Sequence, residues 1–145
     1  MQPDQGSLVL TVKVMGAPAP WQVWVRRSAP TPGFLRMQAW QEEIRAVVLQ
    51  QRRGQSRIEG AVTIDTAFYL EWPETAPQRN VEAIASWREK HLMKKPDLDN
   101  LRKAAVDAVA SVLLAVGDQQ VVAGTMSKQF AEPGQEGYTI IVVRL

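Results

Sequence analysis

KPDLDNLRKAAVDAV, residues 95–109, places two aspartates two positions apart in front of a run with helical spacing. Leu101, Ala105, Ala108, Val109 and Val112 form the apolar stripe of that run, and Gly117 is a C-terminal stop. The pattern predicts a helix that begins at Asp99 or Asn100 and continues to about Ala115. Pro96 disfavours helical backbone at Lys95, so residues 95–99 are expected to be extended. On an extended segment Asp97 and Asp99 face one side. A single carboxylate before a helix is ordinarily a cap. Two, surrounded by Lys94, Lys95, Arg102 and Lys103, suggest a site for a cation and a phosphate.

The flanking sequence sets this helix in an α+β frame. Leu8, Leu10, Val12 and Val14 alternate as one face of a strand, with a mixed, wetter face between them. Residues 16–33 form a proline-containing loop. Phe34 to about Arg52 reads as a helix with Met37, Trp40, Ile44, Val47 and Val48 on one face. Val62, Ile64, Phe68 and Leu70 mark a second strand. Val81–His91 is a short helix capped by Asn80. A strand beginning near Gln119 runs through Val121, Val122, Met126 and Phe130. A turn at residues 133–137 leads to a last strand, Tyr138–Leu145, whose run Ile140–Val143 predicts burial on both faces. The order β-α-β-(α)-α-β-β predicts one domain over residues 1–145, a mixed β-sheet with two main helices.

The 145-residue chain is 46% apolar and 22% charged, an ordinary globular balance. It has no cysteine, which excludes a disulfide framework and a thiolate zinc site. No apolar run approaches the roughly 18 residues of a membrane span. MQPDQGSLVL lacks a basic segment followed by an apolar one, so no secretory signal is expected. These features suit a cytoplasmic protein with no membrane partner. Net charge is only +2, but its distribution is uneven. Residues 26–58 carry seven Arg against two Glu, residues 59–87 five acids against one Arg, and residues 88–103 six basic residues against three acids. Two basic stretches bracketing an acidic one form a positive surface if the fold brings them together.

Two adjacent carboxylates repel unless a cation neutralises them. Hard oxygen donors without Cys or His suit Mg²⁺, or Mn²⁺ in its place. A helix starting beside them offers free N–H groups and a positive dipole end to an anion. Lys103, four residues after Asp99, shares its helix face and can bind a phosphate or stabilise developing charge. Asp118 is a candidate third carboxylate. A helix of about 15 residues is about 22 Å long, so spacing leaves it open whether Asp118 returns to the pair or serves another surface. Asp107, four residues after Lys103, reads as its helix ion-pair partner.

The stretch KPDLDNLRKAAVDAVASVLLAVGDQQVV, residues 95–122, resembles the RusA family of Holliday junction resolvases, often encoded by phages and prophages. The family signature D-x-D-N-x-x-K is met by Asp97-Leu98-Asp99-Asn100-Leu101-Arg102-Lys103. The aspartate, spacer and Gln-Val that follow are met by Asp118-Gln119-Gln120-Val121. VMGAPAP, residues 14–20, is similar to the family's early Gly-Pro segment. Gly117 stands where many members carry a further acid, and only Arg26 and Arg27 follow the early proline loop. The resemblance implies that Asp97, Asp99 and Asp118 bind Mg²⁺, that Lys103 is the catalytic lysine and that Asn100 supports the DNA site. It also implies a symmetric homodimer acting on four-way DNA junctions, in a bacterial or phage-encoded protein.

Both together predict a Mg²⁺-dependent endodeoxyribonuclease whose catalytic residues are Asp97, Asp99, Lys103 and Asp118. Asp118 joins the pair if the helix stops near Val112 and the chain turns back through residues 113–117, which puts Asp118 at or just before a strand. Arg26, Arg27, Lys94, Lys95, Arg102 and Lys128 are candidates for phosphate contacts. The same residue types serve equally as solvated surface charges. Trp21 and Trp24 suit packing more than stacking on DNA, and His91 is given no role. Two rivals remain in view: a nuclease for flaps or forks, and a non-catalytic junction-binding protein, which would not need the carboxylates and the lysine.

Overall fold

In a computed structural model that describes residues 7–23 and 29–145, strand β5 (Tyr138–Arg144) is central to the sheet. It pairs antiparallel with β1 (Leu8–Met15) on one side and with β2 (Val62–Leu70) on the other. Along the far edge of β2 lie two short strands, β3 (Val121–Ala123) and β4 (Met126–Phe130), both parallel to it. The sheet is therefore mixed, as the sequence predicts. Three helices complete the order: α1 (Pro32–Gln51), α2 (Val81–Leu92) and α3 (Leu98–Leu113).

Alternation decides which face of the sheet is covered. Val12 and Val14 of β1, Ile64 and Phe68 of β2, and Ile141 and Val143 of β5 are buried in one core with Trp40, Ile44 and Val48 of α1 and Leu101, Ala105 and Val109 of α3. The opposite row, including Ile140 and Val142, stays half-buried. Burial on both faces of residues 140–143 was expected, and only one row is fully covered. The helices pack on that row, and a run of β-branched residues cannot reveal which rows have a partner.

Local signals account for the helix boundaries. Thr31 caps α1, its Oγ1 accepting a hydrogen bond from Phe34 N at 3.1 Å, with Pro32 following in the first turn. The helix thus starts two residues before the expected Phe34, with proline where its missing N–H costs nothing. Asn80 caps α2 by accepting from Ala83 N at 3.0 Å. Between α1 and α3, the small side chains Ala104, Ala105 and Ala108 permit close approach, and Gln41 Nε2 donates to the Ala104 carbonyl at 2.9 Å. Helix α2 buries no residue completely. It is held by aromatic contacts instead: Trp87 lies 4.6 Å from Trp72 and 4.9 Å from Phe130, centroid to centroid. His91, given no role from sequence, sits on this helix, where its ring stacks on Trp87 at 4.1 Å and its Nδ1 donates to the Trp87 carbonyl.

The single strand expected from Gln119 to Phe130 is broken in two. A 3₁₀ turn (Asp118–Gln120) leads into β3, and Gly124 and Thr125 separate β3 from β4. Gly124 has φ +152°, and a Cβ there would lie 1.8 Å from the Ile64 carbonyl oxygen and 2.7 Å from Arg102 Nη2. Only glycine lets the two backbones approach this closely. Gly124→Ala is expected to destabilise the protein by about 2–4 kcal/mol, since a backbone atom stands in the way. Urea unfolding of the two proteins measures it, and a loss under about 0.5 kcal/mol would show that the edge strand can shift freely.

Candidate active site

Helix α3 begins one or two residues before its expected start. Asp97 occupies the N-cap position with extended backbone (φ −71°, ψ 139°), its carbonyl accepting from Leu101 N at 3.1 Å, and Leu98 is already helical. Asp99 therefore lies in the first helical turn. The expected extended pair facing one side is corrected: side chains two apart alternate back to one side only on a strand, whereas a helix rotates about 100° per residue. The Asp97 side chain makes no capping hydrogen bond and is exposed, so its carboxylate is not consumed in holding the helix. Asp99 Oδ1 accepts from Asn100 N at 3.0 Å.

The far end of α3 behaves as the return of Asp118 requires. The helix stops at Leu113, and Leu114 turns to extended backbone. There the chain pairs with residue 58: Ile58 N donates to the Leu113 carbonyl and Ala115 N to the Ile58 carbonyl, each at 2.9 Å. Gln120, 8% exposed, closes the turn. Its Oε1 accepts from Val116 N at 2.7 Å and Gly117 N at 3.2 Å, while its Nε2 donates to the carbonyls of Ile58 at 2.8 Å and Gly60 at 2.9 Å. Asp118 consequently opens the 3₁₀ turn that leads into β3, and it is exposed.

One cleft of about 350 Å³ is lined by Asp99, Arg102, Lys103, Val106, Asp107 and Asp118. Residues 15–19 positions apart thus share a surface with the lysine. Asp97 lines an adjoining recess with Asn100 and Lys95. Among the described residues, no group of three or more His, Cys, Asp or Glu side chains is gathered closely enough to grip a metal ion. The donor chemistry nonetheless suits a hard cation, because every available ligand is a carboxylate oxygen. Asp107 reports the electrostatics. Burial raises its carboxyl pKa, the Asp118 carboxylate raises it further, and Lys103 and Arg45 pull the other way. The expected Lys103–Asp107 ion pair does not form. Among the described residues, ion pairs within 4 Å join Arg88 to Glu132 and Arg144 to Asp65. Lys103 Nζ sits instead 4.5 Å from the centroid of the Trp21 ring.

The candidate phosphate contacts divide in three. Lys94 and Lys95 are exposed at the loop before α3. Lys128 and Arg102 have protein partners. Lys128 Nζ donates to the Lys94 and Pro96 carbonyls, both at 2.9 Å, and so fastens the loop that carries Asp97 to β4. Arg102 Nη1 donates to Thr66 Oγ1 at 3.2 Å and the Thr125 carbonyl at 3.1 Å; burial lowers its pKa, with Asp65 opposing. Arg26, Arg27 and Trp24 lie outside the described residues. Sequence reasoning missed three contributors: Asp107 in the cleft, Trp21 against the lysine and the Gln120 pin. The first had a signal, since Asp99, Lys103 and Asp107 recur every four residues on one helical stripe. The other two depend on contacts between distant segments.

Two variants probe this arrangement. Gln120→Leu leaves the Val116 and Gly117 N–H groups and the Gly60 carbonyl without this partner, and the Ile58 carbonyl with Ala115 N alone; it is expected to cost about 2–4 kcal/mol in urea unfolding, and a change within about 0.5 kcal/mol would mean that water replaces the amide freely. Asp107 has a raised folded pKa, so its contribution to stability is most favourable when protonated and declines as pH rises from the ordinary carboxylate range through the raised value. In metal-free buffer, Asp107→Asn should gain on the wild type across that rise and show no gain at lower pH. A difference that does not vary with pH would mean that Asp107 is fully solvated.

A family model described as endodeoxyribonuclease RusA matches residues 21–141. No curated protein matches the chain. The matched span holds the aspartate pair, the lysine, the returning aspartate and the strands that position them, and the chain belongs to the RusA endodeoxyribonuclease family.

Proposed function

We propose that the protein is a Mg²⁺-dependent, structure-selective endodeoxyribonuclease that resolves four-way DNA junctions by paired nicking as a homodimer. The observation that carries this reading is the shared cleft of Asp99, Lys103 and Asp118 at the N-terminal half of α3, in a chain of this family. Asp99 and Asp118, with Asp97 beside them at the helix cap, would hold the metal, and Mn²⁺ would substitute for it. A bound divalent ion supplies charge to the scissile phosphate and lowers the pKa of a coordinated water. Burial is the main cause of the raised Asp107 carboxyl pKa, and the Asp118 carboxylate adds a repulsion of the kind a cation relieves.

The remaining tasks fall to the chain itself. Lys103 supplies a fixed positive charge beside the carboxylates, facing the phosphate or the leaving oxygen. The first turn of α3 contributes free N–H groups and the positive end of its dipole. Lys94 and Lys95, exposed on the loop before it, are placed to meet phosphates on either side of the scissile one. Arg102 and Lys128 act mainly by holding this frame together, since their donors already serve protein carbonyls and a hydroxyl. Arg26 and Arg27 remain candidates for backbone contacts, and Asn100 for support of the DNA site. A symmetric pair of subunits would present two such clefts to two strands. Among the described residues no helix is long and apolar enough to cross a membrane, and we place the activity in the cytoplasm of a bacterial or phage-infected cell.

Single-turnover nicking of a synthetic four-way junction, compared with forked and linear duplexes and with and without Mg²⁺, tests the reading. Asp97→Asn is expected to abolish cleavage while junction binding in a gel shift persists or tightens, because a charge that repels phosphate has gone. Lys103→Ala should lower the single-turnover rate by about 10³-fold or more with little loss of binding. Wild-type rates in both variants would overturn the assignment of this cleft, and equal cleavage of forks and junctions would favour a broader branched-DNA nuclease.

A further inference from the structure

Beside the carboxylate cleft lies a second concavity of about 470 Å³, on the Asp97 side of α3. Its apolar walls are Trp21 and the prolines Pro18, Pro20 and Pro96. The polar residues on its lining are Gln22, Lys95, Asp97 and Asn100, and of these the Gln22 side chain is already engaged, its Oε1 accepting from Thr31 Oγ1 at 3.3 Å. Trp21 is tied to the site twice. Its backbone N–H donates to the Asn100 carbonyl at 2.9 Å, and its ring carries Lys103 Nζ at 4.5 Å from the centroid. The aromatic wall of the recess is therefore also the platform on which the candidate catalytic lysine rests.

We propose that this recess takes an unstacked nucleobase next to the scissile phosphate, with Trp21 as its stacking surface, and that seating the base sets the position of Lys103. The inference deepens the nuclease reading and rests on it. An aromatic ring accepts any base by its face, with the prolines as further apolar wall, and an amide such as that of Asn100, a residue of the lining, carries both donor and acceptor for a base edge. Lys95 meets a neighbouring phosphate as a point charge. Asp97 shares the recess, so a base held there belongs to a nucleotide adjoining the reacting phosphate. A base reaches such a pocket only when it leaves its stack, which is least costly where stacking is already interrupted, as at a branch point. Helical duplex then offers no occupant, and Trp21 and the Lys103 ammonium on its ring keep the positions they have in the free protein. Selectivity for branched DNA follows from a local event at the active site.

The test uses the full chain and four-way junctions in which each nucleotide flanking the cleaved phosphate is replaced in turn by an abasic one. One abasic position is expected to slow wild-type single-turnover cleavage by about 5- to 150-fold, the range that base–aromatic stacking spans. Trp21→Leu should slow cleavage of the intact junction by a similar factor and lose the response to the abasic site, while Trp21→Phe keeps both. Circular dichroism of the variants checks folding, and the wild-type abasic series needs no variant at all. Equal wild-type rates at every abasic position overturn the proposal and leave Trp21 as a support for Lys103 alone. A wild type that cleaves no junction overturns the nuclease reading instead; binding then decides, and equal Kd for intact and abasic junctions overturns the base-binding recess as well.

Discussion

One buried amide holds together the half of this molecule that carries the candidate site. The four hydrogen bonds of Gln120 join the turn after α3 to the segment before β2, two accepted from Val116 and Gly117 and two donated to Ile58 and Gly60. The Ile58 carbonyl also accepts from Ala115 N, but the other three groups would otherwise need water in a place where Gln120 itself is buried. With the pin in place, the chain leaving α3 reverses direction and delivers Asp118 to the edge of β2. Without it, a carboxylate 19 residues from Asp99 has no reason to face the same cleft.

The edge strand continues this logic. Parallel pairing of β3 and β4 with β2 requires the chain to pass Ile64 at a distance no side chain tolerates, and Gly124 permits that passage. Thr125 then donates from its backbone N–H to Asp65 Oδ1 at 2.8 Å, and Arg102 reaches across from α3 to the Thr125 carbonyl. Lys128, further along β4, clasps the loop before α3. Basic side chains that a sequence reading assigns to phosphate contacts thus become the struts that hold helix, loop and edge strand in register. Among the described candidates, Lys94, Lys95 and Lys103 are exposed close to the helix start, and under the proposed function these are the charges that would meet DNA. A compact positive locus beside carboxylates suits recognition of one phosphate more than a long electrostatic track.

What the sequence by itself determined was the element types, the motif and the class of chemistry. Alternation at Leu10, Val12 and Val14, the helical stripe of Leu101, Ala105 and Val109, and the cap Asn80 are local signals, and the local structure obeys them. The D-x-D-N-x-x-K run also reads correctly as the mark of the family. Tertiary structure decided the rest. Where α3 begins shifted from Asp99 or Asn100 to Leu98, which turned Asp99 away from an extended pairing with Asp97. Whether Lys103 meets Asp107 or Trp21 depended on a loop some 80 positions earlier in the chain. Which row of β5 is buried depended on where the helices packed, and the role of Gln120 on carbonyls 60 and 62 residues away. Periodicity and capping act within a few residues and are written into adjacent positions; hydrogen bonds and ring contacts between distant segments exist only after the chain has closed on itself.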